Sequence, residues 1–361
     1  MRVLLSGYYG FGNLGDEALL EVIAEQVRRR FPAVRLDVLS ATPESTAAKF
    51  GVEATPRWDL RAVKAAIARA DAVLSGGGGL LQSATSLRSL VYYAGILRAA
   101  IRAHRKTMIF AQSIGPLDAL GSMVVRRSCR GLDRATVRDE RSRALLSSLL
   151  AQTPVERTAD PVFLYDPDAT IDLSREGLGP ESAPYALVAL RRCPSFAKGV
   201  ATIARAVDRL SQTHGVRVAF LPLGGRSDAE VSTTVIRACR TAPMLLPEPT
   251  LEKAAAMIAG ARIVVGMRLH ALVLAARSAV PFLAVSYDPK VGSLLDDLAY
   301  PLAPLWETGR PAPEPAQTDA LVDAALARHA ELSAHLAAAL PGVRALAERN
   351  FDALGELLRE P

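Results

Sequence analysis

The feature that most constrains this chain is an alternation that runs through most of its length. Short runs of β-branched and apolar residues are separated by longer amphipathic segments rich in Ala, Leu and Arg. That rhythm belongs to parallel sheets covered by helices on both faces. In the first half it predicts strands over residues 2–6, 35–39, 72–75, 107–111, 134–137 and 162–164. It lapses over 165–184, where Asp, Pro, Gly and Ser dominate, and restarts with strands expected over 185–190, 216–221, 244–246, 263–265 and 282–285. With 361 residues the chain is too long for one ordinary core. The expected fold class is α/β, with two doubly wound Rossmann-like domains. The first is expected over 1–170, a linker over 171–184, the second domain over 185–317, and helices over 318–361 that could pack on either domain.

Composition narrows the function classes. Half the residues are hydrophobic and 22% are charged, so the chain is globular rather than disordered. No apolar run reaches the roughly 18 to 20 residues that span a bilayer. The opening MRVLLSGYYGFGNLGDEA lacks a basic start and a cleavage site, and reads as a strand rather than a leader. The three cysteines, Cys129, Cys193 and Cys239, are widely spaced and suggest neither a disulfide framework nor a zinc cluster. No metal is expected, and a reducing cytoplasm fits best. The net charge of +6 is dispersed and aromatics make up only 5% of residues. Nucleic acid is therefore not an expected partner, whereas an anionic substrate or the inner face of a membrane is compatible.

Doubly wound sheets bind ligands outside the carboxyl ends of their strands, so the expected site lies in strand-to-helix turns that meet in a cleft. The first such turn carries S-G-Y-Y-G-F-G-N-L-G-D-E-A. Gly10, Gly12 and Gly15 spell G-x-G-x-x-G, and Asp37 follows in the next strand, so a dinucleotide site has to be weighed. Against it, Asp16 and Glu17 occupy the helix start, where they would repel a pyrophosphate seated on the same amides. Tyr9, Phe11, Asn13 and Asp16 instead suit a polar acceptor, the rings stacking and the amide and carboxylate bonding hydroxyls; a capped glycine turn is the plain alternative. The second turn, S-G-G-G-G-L-L-Q, leaves amides around Gly78 unobstructed and ends on Gln82. Gln112 and Ser113 hold the same place one unit later.

Cations follow. Arg138 ends a strand in T-V-R-D-E-R-S and can hold a carboxylate or phosphate bidentately, unless it merely pairs with Asp139. His270, in V-G-M-R-L-H-A-L, stands apart from His104, His214, His329 and His335, which lie in polar helical stretches. Arg268 beside it, in so apolar a setting, needs an anion. Lys290, in V-S-Y-D-P-K-V with Tyr287 and Asp288, supplies a compact cation. Three cations match an enol phosphate bearing a carboxylate, at roughly −2.5 to −3.

Taken in order, GYYGFGNLGDEA, SGGGGLLQ, AQSIGP, TVRDERS, VALRRCPSF, GMRLHALVLA and SYDPKVGSLL resemble the polysaccharide pyruvyl transferases, in particular the CsaB type, over nearly the whole chain. The resemblance implies a glycosyltransferase-B-like architecture. It implies transfer of a pyruvyl group from phosphoenolpyruvate to two hydroxyls of a sugar, forming a cyclic ketal and releasing phosphate, with no cofactor. It also implies an N-acetylmannosamine acceptor on a lipid-linked cell-wall polymer precursor of the kind used in S-layer anchoring, and hence contact with the inner membrane face. By matching motif, Arg268, His270 and Lys290 would hold the donor, with Arg138 as a further clamp beside Gly78. Tyr9 and Phe11 would meet the acceptor, with Asn13 and Gln82. His270 is the expected acid and Asp16 the expected base. The sequence departs from the commonest pattern at Gly12, where asparagine is frequent, and at Arg192-Cys193, which replace an aromatic pair; the second bears on the acceptor. The alternatives are a nucleotide-sugar glycosyltransferase on the same fold, a nicotinamide oxidoreductase and a carbohydrate-binding module.

Overall fold

The computed structural model describes residues 1–84, 86–166, 171–179 and 183–359. The chain forms two compact units, one of Met1–Tyr165 with Arg344–Pro361 and the other of Asp166–Val343. In the first, strands β1 (Arg2–Tyr9), β2 (Arg35–Ser40), β3 (Glu53–Pro56), β4 (Ala72–Gly76), β5 (Lys106–Gln112), β6 (Arg134–Val137) and β7 (Val155–Arg157) make one sheet in the order β3-β2-β1-β4-β5-β6-β7. Every pairing in it is parallel. In the second, β8 (Tyr185–Ala189), β9 (Arg217–Phe220), β10 (Met244–Leu245), β11 (Ile263–Gly266), β12 (Phe282–Ser286) and β13 (Trp306–Glu307) run parallel in the order β10-β9-β8-β11-β12-β13. Two parallel α/β units of the doubly wound kind are thus present.

The central strands β1 and β8 are apolar along almost their whole length because helices cover both faces. Val3, Leu4 and Leu5 are fully buried, as are Ala186, Leu187 and Val188. The helix Leu14–Arg30 follows β1, with Asn13 as its N-cap, Asp16 and Glu17 in the first turn and Arg28, Arg29 and Arg30 in the last. Those charges oppose the helix dipole at each end.

The structure differs from the sequence reading at the sheet margins. Residues 162–164 are not a strand but the core of a 3-10 turn, Pro161–Leu164, capped by Asp160 and buried throughout. Strands β3, β7 and β13 were not expected from the pattern. They are edge strands of four, three and two residues, too short to show a period, and β3 ends on a proline. Of the stretch expected as a linker, 180–182 lie outside the described residues. Elsewhere in it, Leu173 and Leu178 are buried, Lys253 bonds Glu176 at 2.6 Å and Arg217 bonds the Gly177 carbonyl at 2.7 Å, so that part packs on the second unit. The C-terminal helices divide. Pro315–Ala327 is tied to the helix Phe196–Gln212 by Arg205–Asp319 and Arg209–Asp323, while Asn350 bonds Thr158 and the Ala159 carbonyl in the first unit.

Each sheet reverses its winding once, between β1 and β4 in the first unit and between β8 and β11 in the second. Such a reversal opens a crevice at the carboxyl ends of the two strands.

Candidate functional site

In the first unit the crevice is closed over by its own side chains. Tyr9 is 1% exposed and its hydroxyl donates to the Gly76 carbonyl at 2.9 Å, linking the ends of β1 and β4. Burial, with the Asp16 carboxylate next in size, pushes its phenol well above the ordinary range. Gly7 makes room for that ring, since a Cβ there would lie 2.2 Å from it. Tyr9 therefore offers no face to a sugar, contrary to the sequence reading. Its neighbour Tyr8 does: it is exposed and stacks on Phe11, ring centroids 4.1 Å apart and planes within 11°.

Those rings belong to a cluster that the motifs did not reveal. Arg57, just beyond β3, is buried; it bonds the Gly7 carbonyl at 2.8 Å and the Tyr93 hydroxyl at 3.0 Å. Its guanidinium lies 4.9 Å from the ring centres of Phe11 and Trp58 and 4.7 Å from that of Tyr92. Trp58 is 67% exposed. The signal was P-R-W at 56–58 and V-Y-Y at 91–93, a concentration of aromatics in a chain poor in them.

Around the helix start, Asn13 caps Gly15 and its amide donates to Asp16. Asp16 and Gly78 are brought together: a Cβ on Gly78, where φ is +74°, would stand 3.0 Å from the Asp16 carboxylate. Gln82 is half-buried in the same loop beyond β4. The G-x-G-x-x-G reading meets an obstacle, because the Glu17 carboxylate already accepts from the Gly10 amide at 2.9 Å. Asp37, which a dinucleotide would need, is buried against Thr55 at 2.9 Å.

Arg138 sits differently from the expectation of an open clamp. It is 6% exposed, pairs with the equally buried Asp160 rather than with Asp139, and donates to the Gly78 carbonyl at 3.2 Å and Ser113 at 3.1 Å. Its charge is compensated, and its bonds tie the turns after β4, β5 and β6 together. Gln112 is also buried and bonds Ser75, so it lines no open surface.

In the second unit the crevice remains lined by half-buried polar groups. The end of β11 docks on β8 through the Met267 amide, which donates to the Ala189 carbonyl at 2.8 Å. Arg268, Leu269 and His270 follow at the start of the helix Leu269–Arg277. Arg268 has the anion its setting demands: it bonds Asp228 bidentately at 2.7 and 2.5 Å, and Asp228 is fully buried. Gly224 makes this possible, since a Cβ there would lie 1.9 Å from the guanidinium. Lys290 stands 3.8 Å from Asp288, which caps the helix Pro289–Asp297. The three cations on which the charge match rested each have a carboxylate. Tyr287 lies among them: burial raises its phenol, and Arg191, Asp288 and Arg268 all act on it. Among the described residues no group of three or more His, Cys, Asp or Glu is placed to hold a metal ion, and no helix is long and apolar enough to cross a membrane.

The model of the polysaccharide pyruvyl transferase family matches residues 13–289, from the Asn13 cap to the turn after β12. The chain belongs to that family. As a polysaccharide pyruvyl transferase it is a transferase whose family activity is pyruvyl transfer on polysaccharide. No curated protein sequence matches it. Solved structures share its fold at low identity. The Anabaena protein HepE in complex with UDP-glucose is 11% identical with a TM-score of 0.66, over 99% of this chain and 100% of that one. The UDP-GlcNAc 2-epimerase from Neisseria meningitidis, bound to UDP-GlcNAc, is 11% identical with a TM-score of 0.65, over 99% and 100%. Sucrose-phosphate synthase from Thermosynechococcus elongatus is 14% identical with a TM-score of 0.63, over 99% and 98%. These neighbours place this pyruvyl transferase among glycosyltransferase-B-like folds.

Proposed function

We propose that this enzyme moves the pyruvyl group of phosphoenolpyruvate onto two hydroxyls of a sugar, forming a cyclic ketal and releasing inorganic phosphate without a cofactor. The observation that supports the reading is the set of groups at the β8–β11 crevice: Arg268 and His270 at the start of the helix after β11 and Tyr287 after β12, all inside the family match, with Lys290 one residue beyond it and 3.8 Å from Asp288. His270, in its protonated form, gives its proton to the vinyl carbon, leaving oxocarbenium character at the carbon that bears phosphate and carboxylate. One sugar hydroxyl adds there and loses its proton. The carbon–oxygen bond to phosphate then breaks and a second hydroxyl closes the ketal; of the two hydroxyl protons, one leaves on the phosphate and the other replaces the proton His270 gave. Asp16, on the first unit, is the proposed base for an acceptor hydroxyl.

The acceptor side is assigned to the first unit. Tyr8, Phe11 and Trp58 offer exposed ring faces of the kind that pack on sugar C–H groups, and Asn13 and Gln82 lie in the flanking turns. The acceptor proposed is an N-acetylmannosamine unit of a lipid-linked cell-wall precursor, as in the CsaB type, which places the enzyme in the cytoplasm with peripheral contact at the inner membrane face. The test is incubation with phosphoenolpyruvate and a lipid-linked N-acetylmannosamine disaccharide, following free phosphate and the product mass. A ketal-bearing product supports the reading. Transfer of sugar from a nucleotide sugar, with release of nucleotide and none of phosphate, would replace it with glycosyl transfer.

A further inference from the structure

We propose that Arg191 is the group that takes the donor's phosphate, in a subsite formed by its guanidinium and the Tyr287 hydroxyl. This deepens the donor reading above and rests on it.

Position is the first argument. Arg191 is the second residue after β8, as Arg268 is the second after β11, and the two strands are the neighbours that flank the crevice of the second unit. Charge is the second. Arg268 shares its guanidinium with the Asp228 carboxylate, and Lys290 lies near Asp288. Arg191 makes no ion pair among the described residues. Its Nη1 donates at 2.7 Å to the Tyr287 hydroxyl, a neutral partner, and its buried Nε has no hydrogen bond to any described residue. An incoming phosphate monoester carries a charge of about −1.5 to −2 at neutral pH. At Arg268 it would compete with a bidentate carboxylate; at Arg191 it meets an uncompensated cation whose planar fork suits phosphate oxygens.

The Tyr287 ring supplies the rest of the subsite. The Arg191 guanidinium carbon lies 4.8 Å from the ring centroid, so the ring holds the cation in place without neutralising it. Burial raises the phenol and keeps it protonated, so the hydroxyl can accept from Arg191 and donate its own hydrogen to a phosphate oxygen. Arg192, the next residue, turns outward to Glu230 at 3.2 Å and takes no part.

Calorimetric titration of the full chain with phosphoenolpyruvate and with inorganic phosphate tests this, using wild type, Arg191→Gln, Arg191→Lys and, as a control on the exposed surface, Arg226→Gln. Loss of a charge-assisted contact is expected to weaken phosphoenolpyruvate binding about ten- to a hundred-fold in Arg191→Gln. Arg191→Lys is expected to recover part of that loss, and Arg226→Gln to bind as wild type. Inorganic phosphate is expected to compete with phosphoenolpyruvate in the wild type and to stop competing in Arg191→Gln. Thermal unfolding of each variant confirms that it is folded; if Arg191→Gln is not, Arg191→Lys carries the comparison with a smaller loss. Wild-type affinity in a folded Arg191 variant would overturn the assignment and leave the donor reading intact. A wild-type protein that binds no phosphoenolpyruvate would instead remove the donor reading itself.

Discussion

The two crevices share one topology and use it in opposite ways. At the β1–β4 reversal the polar groups are largely buried and partnered: Arg138 with Asp160, Arg57 with the Gly7 carbonyl and the Tyr93 hydroxyl, the Gly10 amide with Glu17, and the Tyr9 hydroxyl with Gly76. What that unit presents outward is a set of rings, Tyr8, Phe11 and Trp58. At the β8–β11 reversal the rings are few and the cations remain half-exposed, and one of them, Arg191, has no ion pair among the described residues. Doubly wound units therefore do not imply phosphate at every reversal. The side chains that close or leave open the crevice decide whether it suits an anion or a sugar face.

The largest effect that would sharpen this contrast is His270→Ala. A positioned acid contributes about 10² to 10⁴ in rate, so steady-state turnover is expected to fall by that factor while phosphoenolpyruvate binding stays near wild type. Unchanged turnover would remove His270 from the mechanism. Next is Asp160→Ala, which strands the buried Arg138 charge. Removing one partner of a buried pair costs about 3 to 5 kcal/mol, to be read from denaturant unfolding. A loss under about 1 kcal/mol, as for a surface pair, would show that the first crevice is open to water.

A smaller effect is expected for Gly224→Ala, whose Cβ would displace the Arg268 guanidinium from Asp228. Loss of its fork geometry is expected to weaken donor binding by about tenfold, with acceptor KM unchanged. The rings are tested by Trp58→Ala. A ring contact of about 0.5 to 1.5 kcal/mol corresponds to a two- to tenfold rise in acceptor KM, with donor KM unaffected. The converse pattern would reverse the assignment of the two crevices.

The smallest effect lies away from both. Hydrogen bonds from Arg209 and then His214 hold the Asp323 carboxyl at about 2, below the unfolded value near 4. A depressed acid stabilises the fold above its unfolded pKa and loses that contribution as pH falls from about 4 toward 2. Because Asp323 is 38% exposed the contribution is screened, and Asp323→Asn is expected to flatten the acid limb of stability only slightly.

Much of the fold was legible in the sequence because central strands covered on both faces are runs of apolar residues, broken at their carboxyl ends by glycine and polar residues. Of the edge strands only β10 was; β3, β7 and β13 were not, since two to four residues carry no period. The same physics hid which of Tyr8 and Tyr9 faces out: β1 is buried on both faces until Tyr8, so no alternation precedes the pair. Ion partners were beyond local reading as well. Asp160 and Asp228 lie far along the chain from the arginines they neutralise, and only folding shows that Arg138 and Arg268 are compensated while Arg191 is not.

The division of labour is tested most directly by hydrogen exchange of the wild-type protein with and without phosphoenolpyruvate. Protection is expected in the turns after β8, β11 and β12, around Arg191, His270 and Lys290, with no change around Phe11 and Trp58. Protection confined to the Gly10–Glu17 turn and the glycines after β4 would contradict it and point to a ligand seated on the first unit instead.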